Sequence, residues 1–249
     1  TEEAKEFIIN QVAKRKMLDV IAKQKDVEDF PPIEGFNPEF TLKGYQKVAV
    51  KFNEYAGYRS IVADAMGLGK SPTAIATVMH AGLNAIIVCP ASLRTNWIRQ
   101  VRKFTGLVPY VLAGETPNPY DVVHLIKEKP RFVIINYDIL AADTTVTENT
   151  VDANGYQHIK NMTRFPWVEV LSMVGYDIVI YDEAHYIKNI KSKRSQASLD
   201  LGHNFKYVLP LTGTPVMNRP SELWPLLNLV DPHTYPAFQT FVREHTIDG

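Results

Sequence analysis

Two short stretches carry residue types at spacings that suit phosphate chemistry. In the first, Ala63–Ala76 (ADAMGLGKSPTAIA), Gly67 and Gly69 precede Lys70 and Ser71. Holding a polyphosphate away from water requires backbone N–H groups that approach its oxygens closely, which a residue without Cβ permits. A helix starting at Lys70 would add the positive end of its dipole. Lys70 would bring a mobile charge to the outer phosphates, and the Ser71 hydroxyl a ligand for Mg²⁺. Pro72 is tolerated because a first-turn N–H has no intrahelical partner. The generic loop of this kind has glycine where this chain has Asp64, so these residues alone leave open a glycine-rich turn with an exposed lysine. An apolar run before and a helical pattern after favour the nucleotide loop. A dinucleotide loop is disfavoured, since position 72 would have to be glycine.

The second stretch, IVIYDEAH (178–185), ends an apolar strand in Asp182 and Glu183. Adjacent carboxylates at such a point need compensation. Mg²⁺ held by Asp182, with Glu183 orienting or deprotonating an attacking water, supplies it. The competing reading is a solvated strand end in which Asp182 caps a helix. With Lys70 and Ser71 expected after a neighbouring strand of the same sheet, the metal reading is preferred. His185 has no second histidine at ligand spacing, which argues against zinc and for a hydrogen-bonding role.

The elements that must position these residues read as α/β. Short continuous apolar runs occur at SIVAD (60–64), AIIVCP (85–90), PYVLAG (109–114), RFVIINY (131–137), YDIVIYDE (176–183) and KYVLPLTG (206–213), with helical stretches such as SPTAIATVMHAG and SLRTNWIRQVRKF between them. Continuous rather than alternating apolar strands are covered on both faces, as in a mostly parallel sheet flanked by helices. Ligands of such sheets bind beyond the carboxyl ends of the strands, and both stretches fall there. Upstream, residues 1 to about 27 have the spacing of an amphipathic helix on Ala4, Phe7, Ile8, Leu18, Ile21 and Ala22. Asp29–Phe40 is a Pro-broken linker, and a second helix is expected from about Leu42. The polar segment 141–164, with a turn signal at Asn154-Gly155, reads as an inserted surface hairpin. Trp167, Leu223, Trp224, Leu226 and Leu227 read as core, and Cys89 as packing at a strand end.

Composition narrows the class. At 249 residues and 45% hydrophobic, the chain can bury a large core. The formal net charge is zero, so a nucleic-acid surface would have to be local. One cysteine excludes an internal disulfide and fits a reducing compartment. No apolar run approaches a membrane span, and the acidic N-terminus is unlike a signal peptide. The expectation is an intracellular soluble protein.

Taken together, the motifs resemble those of the Swi/Snf-type ATPases, a branch of helicase superfamily two. ADAMGLGKS resembles the family's ATP-binding loop, in which an aspartate is usual at position 64. DEAHYIKN (182–189) resembles its second motif, and LTGTPVMNRPSELWPLLNLVDP (211–232) its third with the segment that follows. LKGYQ (42–46) is similar to the adenine-recognising glutamine motif, and CPASLRTNW (89–97) and INYD (135–138) to the first-lobe nucleic-acid motifs. The likeness runs from residue 42 to about 232. It implies a RecA-like fold for 41–249, preceded by an N-terminal helix and linker over 1–40.

It also implies roles. Gln46 would read adenine, with Tyr45 nearby. Asp64, Ala65, Met66, Gly67, Leu68, Gly69, Lys70 and Ser71 would hold the triphosphate of ATP, with Ser71 and Asp182 on Mg²⁺ and Glu183 activating water. His185, Thr212 and Thr214 would couple the phosphate state to the nucleic-acid surface. Ser92, Arg94 and Asn96, with Lys188 and Lys191, are candidates for contact with DNA. Ala65 and Ser71 depart from the usual acid and threonine, as do Asn136 and Asp138 from the commonest forms.

The basic runs Arg94–Lys103 and Lys188–Arg194 have a plainer reading as solvated helix faces. If they bind, sequence-indifferent translocation demands phosphate rather than base contacts. Trp97 reads as packed rather than stacked on a base. Such motors close two lobes on ATP, and the second supplies arginines to the transition state. No second-lobe motif is legible, so this stretch is expected to be a first lobe with little turnover alone. The expected function is duplex-DNA translocation or remodelling. The rivals are an unwinding helicase or restriction-type translocase, and a nucleotide- or DNA-binding module without turnover. A phosphotransferase lacks an acceptor site.

Overall fold

The computed structural model describes residues 2–151, 157–215 and 219–245, with the side chains of 2–11 and 148–161 outside that description. A helix α1 (Glu2–Ala22) and a linker lead to α2 (Gly44–Tyr55) and α3 (Lys70–His80). There follow β1 (Ala85–Cys89), α4 (Arg94–Thr105), β2 (Tyr110–Val111), α5 (Pro119–Lys127), β3 (Phe132–Asn136) and α6 (Tyr137–Leu140). A hairpin of β4 (Thr144–Val151) and β5 (Gln157–Arg164) precedes α7 (Pro166–Met173) and β6 (Ile178–Tyr181). The chain continues through α8 (Lys193–His203), β7 (Tyr207–Pro210), α9 (Trp224–Val230) and α10 (Phe238–His245).

The main sheet has the order β2-β3-β1-β6-β7, with every pairing parallel. Its central strands send alternate residues to opposite faces. Ala85, Ile87 and Cys89 join Ile134, Ile180, Leu209 and the apolar sides of α3 and α4. Ile86 and Val88 join Val133, Val179, Val208 and residues of α5 to α9, Trp167 and Leu201 among them. Both faces are therefore dry, which is why these strands are continuously apolar. Trp167, Trp224 and Leu226 are buried as expected, while Leu223 and Leu227 are half-buried.

Register sets the heights of the strand ends. Cys89 pairs with Asn136, Val88 with Tyr181, and Tyr181 with Pro210. The residues that follow, from Pro90, Tyr137, Asp182 and Leu211, thus emerge along one edge.

Three expectations are corrected. The run 60–64 does not form a regular strand: it lies outside β7, joined by isolated parallel bridges Arg59–Val208 and Val62–Leu211. Its short course is fixed at both ends, by the Arg59 guanidinium on the carbonyls of Phe205, Lys206, Leu229 and Val230 and by the loop that begins at Ala63. Consequently β7 separates the Lys70 loop from the strand of Asp182, which are not neighbours in the sheet. The first helix also ends at Ala22 rather than near residue 27. On it Ile21 is buried, but Val12, Met17 and Val20 are exposed. Ala4, Phe7 and Ile8 have side chains outside the described ones. The 141–164 insertion is the β4–β5 hairpin, in register from Thr144–Arg164 to Val151–Gln157, and its Asn154-Gly155 turn lies outside the described residues.

Candidate active site

The loop 63–69 turns off the sheet edge and delivers Lys70 as the first residue of α3. Gly67 and Gly69 both take φ +81°, a left-handed conformation that a Cβ disfavours. Gly69 serves as the helix N-cap. Lys70 is buried, and its ammonium donates to the carbonyls of Asp64 (2.9 Å) and Ala65 (3.4 Å), spanning the loop from within. Ser71 is half-buried beside it, and Met66 and Leu68 are exposed at the loop tip.

The loop is held from below by α2. The Gln46 amide nitrogen donates to the carbonyls of Leu68 and Gly69, both at 3.3 Å, while its oxygen accepts from the Lys43 N–H at 3.0 Å. The Tyr45 hydroxyl donates to the Leu68 carbonyl at 2.9 Å. A cleft of about 270 Å³ opens here, lined by Phe40, Tyr45, Gln46, Gly69, Pro72 and Phe104 among others. Phe104 of α4 stacks on Phe36 and meets Phe40 edge-on, and the Lys103 ammonium lies 4.7 Å above the Phe40 ring. The linker is fixed to the end of α4 by Asn37, whose N–H donates to the Phe104 carbonyl at 2.7 Å. Nothing in the sequence marked these phenylalanines, because the residues between the linker and α4 that meet here are far apart in the chain.

On the other side of β7, Asp182 is buried, and its Oδ2 accepts from the Trp97 indole N–H at 2.7 Å. Its N–H donates to Val88 at 2.8 Å, and its carbonyl accepts from the Tyr137 hydroxyl at 2.9 Å. Burial pushes the Asp182 carboxyl above its ordinary range; the Trp97 bond opposes this, Glu183 adds to it, and the Glu183 N–H and Lys70 charge work against it.

Glu183 adopts φ 49°, ψ 51°, a left-handed backbone unusual for a side chain of this kind. The conformation is imposed from both sides, by the Asp182 N–H bond to Val88 and an Ala184 N–H bond to Leu211 at 2.8 Å, and costs about 1 kcal/mol. Glu183 Oε2 lies 3.1 Å from His185 Nδ1, but the approach is not that of a hydrogen bond, and both atoms are buried without a hydrogen-bond partner among the described residues. A buried carboxylate oxygen in that condition suits a water or hydroxyl donor of a bound substrate.

The 211–214 segment closes the site. Thr212 is buried, its N–H on the Val62 carbonyl (3.0 Å) and its hydroxyl accepting from the Thr214 N–H (3.1 Å). A Cβ on Gly213 would lie 3.1 Å from Met66 Cγ and 3.5 Å from Lys70 Nζ, so this segment packs directly against the 63–70 loop. His185 follows Ala184, which is bonded to Leu211, so the second and third motifs are backbone neighbours. Residues 216–218 of the third-motif stretch lie outside the described residues.

The oxygen donors brought to this edge, the Ser71 hydroxyl and one carboxylate, fit Mg²⁺, which binds through one or two protein oxygens plus phosphate and water. Among the described residues, no group of three or more His, Cys, Asp or Glu is placed to hold a metal.

The candidates for contact with DNA divide. Ser92 and Asn96 are exposed and Arg94 half-buried at the start of α4. Trp97 is fully buried, which agrees with packing. In the second basic run, Lys193 and Arg194 pair with Asp143 and Asp138, each at 2.6 Å, and Lys188 lies 3.7 Å from Glu222. Lys191 is exposed. Cys89 is buried, and burial raises its thiol to about 12, which makes it an inert packing residue. Among the described residues, no helix is long and apolar enough to cross a membrane.

Comparison with known proteins bears on the family and the fold. The signature of the SNF2-related domain matches residues 45–249. A Caenorhabditis elegans protein, SWI/SNF-related matrix-associated actin-dependent regulator of chromatin subfamily A-like protein 1 homolog, is 30% identical over 79% of this chain and 25% of its own length. ATP-dependent DNA helicase DDM1 of Arabidopsis thaliana is 30% identical over 80% of this chain and 25% of its own. The chain thus spans about a quarter of the length of these relatives. The solved SWI2/SNF2 ATPase core of Sulfolobus solfataricus, in complex with dsDNA, superposes on 86% of the chain and 41% of its own at TM-score 0.64 and 24% identity, a likeness of fold. The match over residues 45–249, with the parallel sheet, the loop at its edge and the motifs in their order, makes this chain a Swi/Snf-type member of the SNF2-related family.

Proposed function

We propose that this chain is the ATP-binding first lobe of a DNA-dependent ATPase that translocates on or remodels duplex DNA. The observation that carries the reading is the meeting, on one sheet edge, of the Lys70–Ser71 loop, the Asp182–Glu183 pair and the 211–214 segment that touches both. ATP would lie with its base in the cleft of Phe40, Tyr45, Gln46 and Phe104 and its triphosphate along 64–71. Lys70 would exchange its loop carbonyls for phosphate oxygens, keeping its donors satisfied throughout. Ser71 and Asp182 would hold Mg²⁺, which when bound neutralises charge on the phosphates. Glu183 would accept a proton from the attacking water or orient it, the His185 ring beside it restricting its swing.

Ser92, Arg94, Asn96 and Lys191 would touch DNA phosphates, in keeping with the name of the solved neighbour as a core in complex with dsDNA. The transition-state charge would be met by arginines of a second lobe, so these 249 residues would bind nucleotide and turn it over slowly.

The test is ATP hydrolysis by this chain with and without duplex DNA, alongside nucleotide binding and a Lys70→Ala control. Binding that the control loses, with turnover near background, is the expected result. Robust DNA-stimulated turnover, lost in the control, would refute the dependence on a second lobe. Binding that is indifferent to Lys70 would refute the site.

A further inference from the structure

The Trp97 indole is buried without exposure, yet its one polar atom reaches across the sheet edge to the carboxylate that would hold the metal. Packing alone does not require that aim. A tryptophan N–H hidden in an apolar layer must find an acceptor, and a backbone carbonyl would have served. Here the acceptor is Asp182 Oδ2 at 2.7 Å, a short, charge-assisted contact. Asp182 is otherwise fixed through its main chain, by Val88 on one side and the Tyr137 hydroxyl on the other. Those bonds set the height of the residue but leave rotation of its side chain to Trp97. Trp97 in turn has no freedom of its own, being wedged with Val101, Ile75 and Ile180 in the layer beneath α4.

We propose that Trp97 is a positioning residue. Its indole N–H engages one carboxylate oxygen of Asp182 and orients the group for Mg²⁺, making α4 part of the metal site although Trp97 itself touches neither metal nor nucleotide. This rests on the reading of Asp182 as a metal ligand. Because α4 also presents Arg94 and Asn96 near its start, just after Ser92, and Phe104 to the base cleft at its end, one helix then bears on the proposed DNA edge, the metal ligand and the base.

The test separates the donor from the bulk of the ring. Trp97→Phe keeps an aromatic ring and removes the N–H. Trp97→His removes more volume yet retains a ring N–H, since His Nε2 occupies the topological place of the indole nitrogen. Replacing the indole of Trp97 by benzothiophene keeps shape and removes only the donor.

Affinity for a fluorescent ATP analogue is measured in excess Mg²⁺ and again in EDTA, with thermal midpoints for each variant. The ratio of the two affinities reports the metal's contribution. Loss of an outer contact to a ligand typically costs ten- to a hundredfold in metal affinity. The ratio should therefore fall about tenfold in the Phe and benzothiophene proteins and stay within about threefold of wild type for His, while EDTA affinities match. Should His not fold, the benzothiophene protein decides alone. A benzothiophene ratio equal to wild type, or a ranking that follows ring volume, overturns the proposal. A wild-type protein whose nucleotide affinity ignores Mg²⁺ overturns the metal reading of Asp182 and this inference with it.

Discussion

The two loop glycines allow a clean test of how the Gln46 side chain holds the phosphate loop. Gly67 and Gly69 share φ +81°, so an alanine at either incurs the same left-handed penalty, about 1–2 kcal/mol. Their surroundings differ. A Cβ at 67 meets nothing within 4 Å, whereas one at 69 would lie 2.5 Å from Gln46 Nε2 and 3.2 Å from Pro72 Cγ. The amide must then withdraw, giving up its two 3.3 Å bonds to Leu68 and Gly69 and straining the 3.0 Å bond to Lys43. Two long bonds and a weakened one amount to about 1–2 kcal/mol. Gly67→Ala should thus cost about 1–2 kcal/mol, and Gly69→Ala about 2–4 kcal/mol. The assay is equilibrium urea unfolding at constant slope, repeated in a Gln46→Ala background. There the gap between the two glycine variants should narrow to what the 3.2 Å approach to Pro72 Cγ leaves, because the amide displaced is gone. If Gly69→Ala costs no more than Gly67→Ala, or if the gap is undiminished without Gln46, the bonds to the loop carry no energy and the reasoning fails.

Asp182→Asn should raise the thermal midpoint at pH 7 while abolishing the gain in nucleotide affinity from Mg²⁺. Burial lifts the carboxyl's pKa above 3.8 in the folded state, so the folded protein holds that proton more tightly than the unfolded chain. Stability is then undiminished below pH 3.8 and is lost as pH rises from there through the folded value. The advantage of the asparagine should accordingly be full at neutral pH and vanish below pH 3.8; a constant difference would contradict the shift. Arg59→Ala should destabilise by about 3 kcal/mol, since a guanidinium serving the carbonyls of Phe205, Lys206, Leu229 and Val230 leaves partly buried acceptors behind. Arg59→Lys should recover less than half of that in the same unfolding experiment, because a single ammonium cannot reach all four.

Much of the candidate site's placement was legible from residue order alone, because the proposed chemistry is local. A glycine pair ahead of Lys70 and Ser71 needs only a turn and a helix start to become a phosphate cradle, and IVIY followed by Asp182 and Glu183 needs only a buried strand to bring two carboxylates to a sheet edge. Continuous apolar runs fixed a sheet covered on both faces, since an exposed face would have shown alternation. Strand order was not legible. Side-chain pattern is the same wherever a buried parallel strand stands, so the placement of β7 between the Lys70 loop and β6, and the reduction of 60–64 to two bridges, came from packing. Nor could spacing reveal contacts between distant segments: Trp97 with Asp182, Tyr137 with the Asp182 carbonyl, Asn37 with the end of α4, Gln46 with the loop it supports. Each joins groups brought together only once the helices settle on the sheet. The sequence by itself determined which residues are proposed to do the chemistry, because identity and local turn geometry suffice to single them out. Tertiary structure alone decided which others hold them in place, because a hydrogen bond across 85 residues exists only where the fold closes the distance.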